Sequence, residues 1–223
     1  MTFSILTFDS KTGVFAAAAA TGSLCVGGWV LRGDIESGLV ASQGTAPSTF
    51  WRDDVLRAMH QGQSAKEAVE AVTRNDPGRG HRQLTALDRQ GLAHGFTGAD
   101  SVAYANHITE PGIVIAGNML EGPAVLEAMM SAARTDDISV GDRMLRVLSA
   151  AKQAGGDSRG LLSAALLVLA PDRPPLDLRV DHSDDPISEL ESLCHRTRQS
   201  PYFDWLSEVP VLLDKSRAPE QAL

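Results

Sequence analysis

Strand-like and helix-like segments follow one another in blocks along this chain, and that block order limits the fold more than any single motif does. Residues 2–8 alternate as a strand, Asp9-Ser10-Lys11-Thr12-Gly13 reads as a turn, and residues 14–21 read as its hairpin partner. Positions 16–20 are all alanine, a poor strand former, and side chains that small let a neighbour pack close. Residues 29–32 and 38–43 predict two more strands around Gly33-Asp34-Ile35-Glu36-Ser37. Two helices come next. One starts at Ser48 with Phe50, Val55, Leu56 and Met59 on one face; the other starts at Ser64, where Glu67 completes a capping box ahead of Ala68, Val69 and Val72. Strands are then expected at 83–88, 91–97, 101–107 and 112–116, followed by helices at 122–133 and 140–154. Strands at 161–170 and 176–182 flank Pro171-Asp172-Arg173-Pro174-Pro175, and a last helix opens at Asp185-Pro186, with proline suited to a first turn. The expected class is α+β: a four-layer αββα sandwich of two antiparallel sheets flanked by helices. One domain would span 1–214, with a frayed tail at 215–223. Trp29, Trp51 and Trp205 are read as packing anchors.

A chain of 223 residues with 43% hydrophobic and 22% charged residues has the composition of an ordinary globular protein. Its net charge of −8 and lack of a Lys/Arg cluster argue against a nucleic-acid partner. Cys25 and Cys194 are too few and too far apart for a disulfide framework or a zinc site, and His60, His94, His107, His182 and His195 show no metal spacing. Apolar runs such as residues 164–170 are too short for a membrane span, and the start lacks a basic segment before an apolar one. The expectation is a cytoplasmic protein without metal or organic cofactor, acting on a small molecule or peptide, with a homodimer as an open possibility.

Thr2 directly follows the initiator methionine, which is readily trimmed ahead of a small residue. A terminal Thr2 would carry a hydroxyl nucleophile and an α-amine of pKa about 7.7–8.0 on the same residue. An amine of that basicity takes a hydroxyl proton near neutral pH. Ser4 shares the face of Thr2 by the two-residue period of a strand.

Several local sequences recur in a familiar order: Thr2-Phe3-Ser4-Ile5, Asp76-Pro77-Gly78-Arg79-Gly80-His81-Arg82-Gln83, Phe96-Thr97-Gly98, Gly117-Asn118, Gly155-Gly156-Asp157-Ser158-Arg159-Gly160, Ser163-Ala164-Ala165-Leu166-Leu167-Val168 and Asp177-Leu178-Arg179-Val180-Asp181. Together they resemble the domain-of-unknown-function family 1028, which is placed among the N-terminal-nucleophile-hydrolase-like folds. The resemblance spans roughly residues 2–193, and the block order also matches that of a proteasome β-subunit. The family pattern has glutamine before Gly117-Asn118 and before Ser163, where this chain has Ala116 and Leu162.

The resemblance implies catalytic roles for Thr2 as nucleophile, for Gly44 as oxyanion donor with Thr45 next to it, for Asn118 near the terminal amine, and for Asp157 and Ser158 holding that amine. Each position also has a plain reading, as a strand-to-helix turn glycine, a helix-entry asparagine and a helix-terminating Gly-Gly-Asp turn. A proteasome-like site further carries an aspartate on the second strand and a lysine on the third. Here the second strand is the alanine run and the third offers only Arg32, which supplies positive charge but cannot shuttle a proton. Arg82 reads either as a fork for a substrate carboxylate or as half of a structural ion pair. The leading expectation is amide hydrolysis through Thr2. A cyclohydrolase-type enzyme and a catalytically silent binding or assembly protein stand as alternatives.

Overall fold

Ten strands alternate with helices in a computed structural model that describes residues 1–135, 139–155 and 160–219. β1 (Thr2–Asp9) and β2 (Val14–Thr21) form the expected hairpin, with Thr2 opposite Thr21 and Asp9 opposite Val14. β8 (Ile113–Asn118) and β7 (Asn106–Glu110) extend the sheet on the β1 side; β9 (Ser163–Ala170) and β10 (Arg173–Val180) extend it beyond β2. The result is a six-stranded antiparallel sheet in the order β10-β9-β2-β1-β8-β7. A second antiparallel sheet holds β3 (Leu31–Asp34), β4 (Gly38–Gly44), β5 (Arg82–Asp88) and β6 (Ala93–Thr97) in chain order.

The period-two alternation of β1 divides its side chains between two layers. Phe3 and Ile5 join the apolar layer beneath α4 (Ala124–Ala133), α5 (Val140–Gln153) and α6 (Pro186–Arg196), whereas Leu6 joins the layer between the sheets. Leu31, Leu39, Ala41 and Leu87 close that inner layer from the four-stranded sheet. On its far side, Val40, Leu84 and Ala86 pack against α2 (Thr49–His60) and α3 (Ala65–Thr73) through Trp51, Val55, Met59 and Val69. The four layers are therefore helix, sheet, sheet, helix, the architecture expected from the order of strand and helix blocks. Among the described residues, no helix is long and apolar enough to cross a membrane.

The alanine run fills both of these layers. Ala16, Ala18 and Ala20 belong to the α5 side and Ala17 and Ala19 to the inter-sheet side, each fully buried. It lets a helix and a second sheet approach one strand from opposite faces.

Other differences from the sequence reading have local causes. Residues 26–29 form a short helix, α1 (Val26–Trp29), which the sequence reading missed and which takes Trp29 from the strand expected at 29–32; it is entered through Cys25 in the left-handed region at φ 60°. There, a Cβ on Gly27 would lie 2.8 Å from Ala165 Cβ, so the helix sits directly on β9. Residues 101–105 are a loop, in which Tyr104 exchanges two backbone hydrogen bonds of 3.0 Å with Leu120. β10 begins earlier than expected, at Arg173, because its pairing with β9 is irregular between Arg173 and Leu176, and prolines are tolerated there on an edge strand. Phe50 is 79% exposed and Trp51 takes its place in the core. Trp29 and Trp205 are about half exposed rather than anchors; Trp205 lies in α7 (Tyr202–Trp205), a short helix the sequence reading missed.

Candidate active site

Thr2 heads β1, and strand pairing brings its neighbours. In the six-stranded sheet Ser163, Thr21, Thr2 and Asn118 lie side by side on β9, β2, β1 and β8. In the four-stranded sheet Gln43, Gln83 and Thr97 are likewise side by side on β4, β5 and β6. The two polar rows face each other at one end of the sandwich and are hydrogen-bonded across the gap.

Thr21 Oγ1 donates to Met1 O at 2.5 Å, which uses its single proton. The 3.0 Å contact between the Thr2 and Thr21 hydroxyls is therefore donated by Thr2. Met1 is almost fully buried in the apolar layer that includes Leu120 and Leu161; Gly22 N also donates to its carbonyl at 3.4 Å, and its amine lies 3.4 Å from Met119 Sδ.

Below Thr2, Ser4 Oγ donates to Gln43 Oε1 at 2.7 Å. Gln43 Nε2 donates to Gln83 Oε1 at 2.7 Å and reaches the Thr2 carbonyl at 3.4 Å. Asn118 Nδ2 donates to the same Gln83 oxygen at 3.2 Å. Gln83 Nε2 points at Thr97 Oγ1, Asn106 O and Gly117 O, at 3.0, 2.9 and 3.0 Å. Thr97 Oγ1 in turn lies 2.9 Å from His107 Nδ1. Burial pushes the His107 imidazole below its ordinary pKa, and the nearby His94 acts in the same direction.

Of the residues singled out in the sequence, Thr2 and Asn118 stand directly opposite each other. Gly44 ends β4, one residue beyond the glutamine that contacts Thr2. Its φ of +123°, and the 2.6 Å that would separate a Cβ from His81 O, make glycine obligatory there on backbone grounds alone. Thr45 follows it at the exposed rim. Arg32 is not brought to Thr2: it lies on the edge strand β3 and its guanidinium faces Asp53 of α2 at 3.8 Å. Asp157 and Ser158 lie outside the described residues.

Arg82 forms the structural ion pair, with Asp76, donates to Ala46 O at 2.8 Å and lies over the Trp51 ring. Sequence reasoning missed Thr21, Gln43, Gln83 and Thr97. The available signal was a polar residue on the inward parity of an otherwise apolar strand, as Gln43 is after Leu39, Val40 and Ala41.

Asp34, Ser37 and His60 have the residue types of a hydrolytic triad but not its geometry. Ser37 Oγ contacts Asp34 Oδ1 at 2.6 Å and His60 Nδ1 at 3.1 Å, and the carboxylate approaches that same nitrogen at 3.9 Å. A triad needs the acid on the opposite ring nitrogen and an accessible serine, and Ser37 is 2% exposed. Among the described residues, no group of three or more His, Cys, Asp or Glu side chains is arranged to hold a metal ion.

Two antiparallel sheets stacked between helices, with a threonine at the head of the first strand, define an α+β protein of the four-layer αββα class. The chain belongs to the family of unknown function DUF1028, whose model matches residues 2–190. It is similar to the crystal structure of protein SPO2555 from Silicibacter pomeroyi, a member of that family, at 48% identity and a TM-score of 0.93, covering 98% of this chain and 99% of that one. A more remote likeness is to BPH of Thiobacillus denitrificans, solved in complex with epoxomicin, at 15% identity and a TM-score of 0.44, over 76% of this chain and 98% of that one. A stretch of 63 residues, 28% of this chain, is 38% identical to trehalose-6-phosphate synthase of Mycobacterium sp. strain JLS, and spans only 13% of that enzyme.

Proposed function

We propose that this protein is an amide hydrolase whose nucleophile is the Thr2 hydroxyl, set free to act once Met1 is removed. The observation that supports this reading is the meeting of Thr2, at the start of β1, with Thr21 and Asn118, at the ends of β2 and β8, with Gln43 reaching in from the other sheet. In the proposed reaction the Thr2 α-amine takes the hydroxyl proton as Oγ1 attacks the substrate carbonyl carbon. The tetrahedral oxyanion is held by backbone N–H groups at Gly44 and Thr45. The ammonium returns the proton to the departing nitrogen, the C–N bond breaks, and water hydrolyses the resulting Thr2 ester. Loss of Met1 takes away the acceptor of the Thr21 hydroxyl, which is left beside the new amine. It also vacates an apolar slot, so the favoured acyl group carries an apolar side chain.

The test begins with untagged protein. Intact mass should show one methionine missing, and periodate should convert the terminal threonine, a 1,2-amino alcohol, to an aldehyde. A β-lactone should then acylate the protein at Thr2, and Thr2→Ala should abolish the adduct. Quantitative retention of Met1, or an adduct that survives in Thr2→Ala, would reject the reading. The burial and hydrogen bonding of Met1 favour a second reading if it is retained: a protein with a blocked amine that binds or assembles without catalysis.

A further inference from the structure

Gln43 and Gln83 are 1% and 0% exposed, between two sheets whose contact is otherwise largely apolar. Burying an amide is costly unless its groups are paired, and here they are paired. Gln43 Oε1 accepts from Ser4, while its Nε2 faces two carbonyl oxygens, those of Gln83 and Thr2. Gln83 Oε1 accepts from Gln43 and Asn118, while its Nε2 faces three oxygens, those of Thr97, Asn106 and Gly117. Turning either amide over would set oxygen against oxygen, so both orientations follow from the surroundings.

This amide pair joins the head of β1, through Thr2 O and Ser4, and the end of β8, through Asn118 and Gly117 O, to β4, β5 and β6. The proposed nucleophile and the proposed oxyanion donors lie on different sheets. Apolar contact between sheets is non-directional and fixes their relative position only loosely. The bonds that cross between the sheets, 2.7 Å at Ser4, 3.0 Å at Gly117 O, 3.2 Å at Asn118 and 3.4 Å at the Thr2 carbonyl, are directional. We propose that Gln43 and Gln83 are positioning residues, a clasp that holds Thr2 and Asn118 at a set distance from Gly44. The inference rests on the reading of Thr2 as nucleophile and adds to it residues that never touch substrate.

Methionine matches glutamine in length and shape without its hydrogen bonds, so Gln43→Met and Gln83→Met are the test variants. A β-lactone serves as the acylating probe, with the rate constant at saturating lactone and the half-saturating concentration measured separately on folded protein. A displacement of about 1 Å costs on the order of 100-fold in rate. The expected result is a saturating rate constant lower by about 100-fold, an unchanged half-saturating concentration, and a terminal threonine still oxidised by periodate. If the glutamines only support the fold, the melting temperature falls while the saturating rate of the folded protein stays at the wild-type value, and the proposal is overturned. If neither methionine variant folds, Ser4→Ala, which removes one bond to Gln43, decides: a drop of about 3–10-fold supports the clasp and no change overturns it. Wild-type protein that takes up no lactone overturns the nucleophile reading and the clasp with it. Labelled wild type alongside equally reactive variants overturns the clasp alone.

Discussion

His107 terminates the chain of side chains that begins at Ser4, and its environment favours the neutral ring. A histidine whose folded pKa is depressed supports the fold fully above its unfolded value and loses that support as pH falls toward the folded one. Wild-type stability should therefore decline as pH drops below about 6.5. His107→Asn keeps a hydrogen-bonding group near the Thr97 hydroxyl but has no proton to gain. Its denaturant midpoint, followed against pH, should be flatter over that interval; an identical slope would mean that His107 does not titrate differently in the two states. Thr2, Ser4 and Asn118 were legible in the sequence because strand alternation and motif order mark them. Thr21, Gln43 and Gln83 were not, because a polar residue near a strand end usually meets water. Partners that make burial tolerable for the two glutamines, Thr2 and Ser4 for Gln43 and Gly117 and Asn118 for Gln83, lie 34 to 41 residues away, in the other sheet.

At the level of elements, the segments with a local chemical signal formed as the sequence indicated. Ser64 accepts from Glu67 N at 3.3 Å while Glu67 Oε2 accepts from Ser64 N at 2.9 Å, the capping box expected for α3. Those bonds hold the Glu67 carboxyl below its ordinary pKa. Replacing Ser64 with alanine should cost about 1 kcal/mol of stability, read from urea unfolding. Segments whose conformation is set by distant packing were not legible. Periodicity cannot mark a single helical turn such as Val26–Trp29, where Arg52, itself buried, donates to Gly28 O and Trp29 O at 2.8 and 3.0 Å. The same ambiguity put Phe50 in the core in place of Trp51: neighbouring residues differ by about 100° around a helix, and only the position of β4 and β5 decides which one turns inward.

For the molecule as a whole, block order alone led to four layers, because sheets with one apolar face and helices with one apolar stripe have few ways to cover each other. The spacing of those layers depends on the alanine run. Ala18 is fully buried on the face toward α5, so Ala18→Leu should push helix and sheet apart and cost about 3 kcal/mol. The same substitution at an exposed strand site would be nearly neutral, and thermal melts of the two variants make the comparison. The facing polar rows have a consequence in time as well as in space. Their members come from β1, β2, β4, β5, β6, β8 and β9, so the last of them, Ser163, is synthesised long after Thr2. A chain still on the ribosome would present Thr2 as an ordinary residue, without neighbours to aim or activate it. Reactivity would be switched on by completion of the sandwich, and in a refolding experiment lactone labelling at Thr2 should rise with the slowest phase of sheet assembly and not before it.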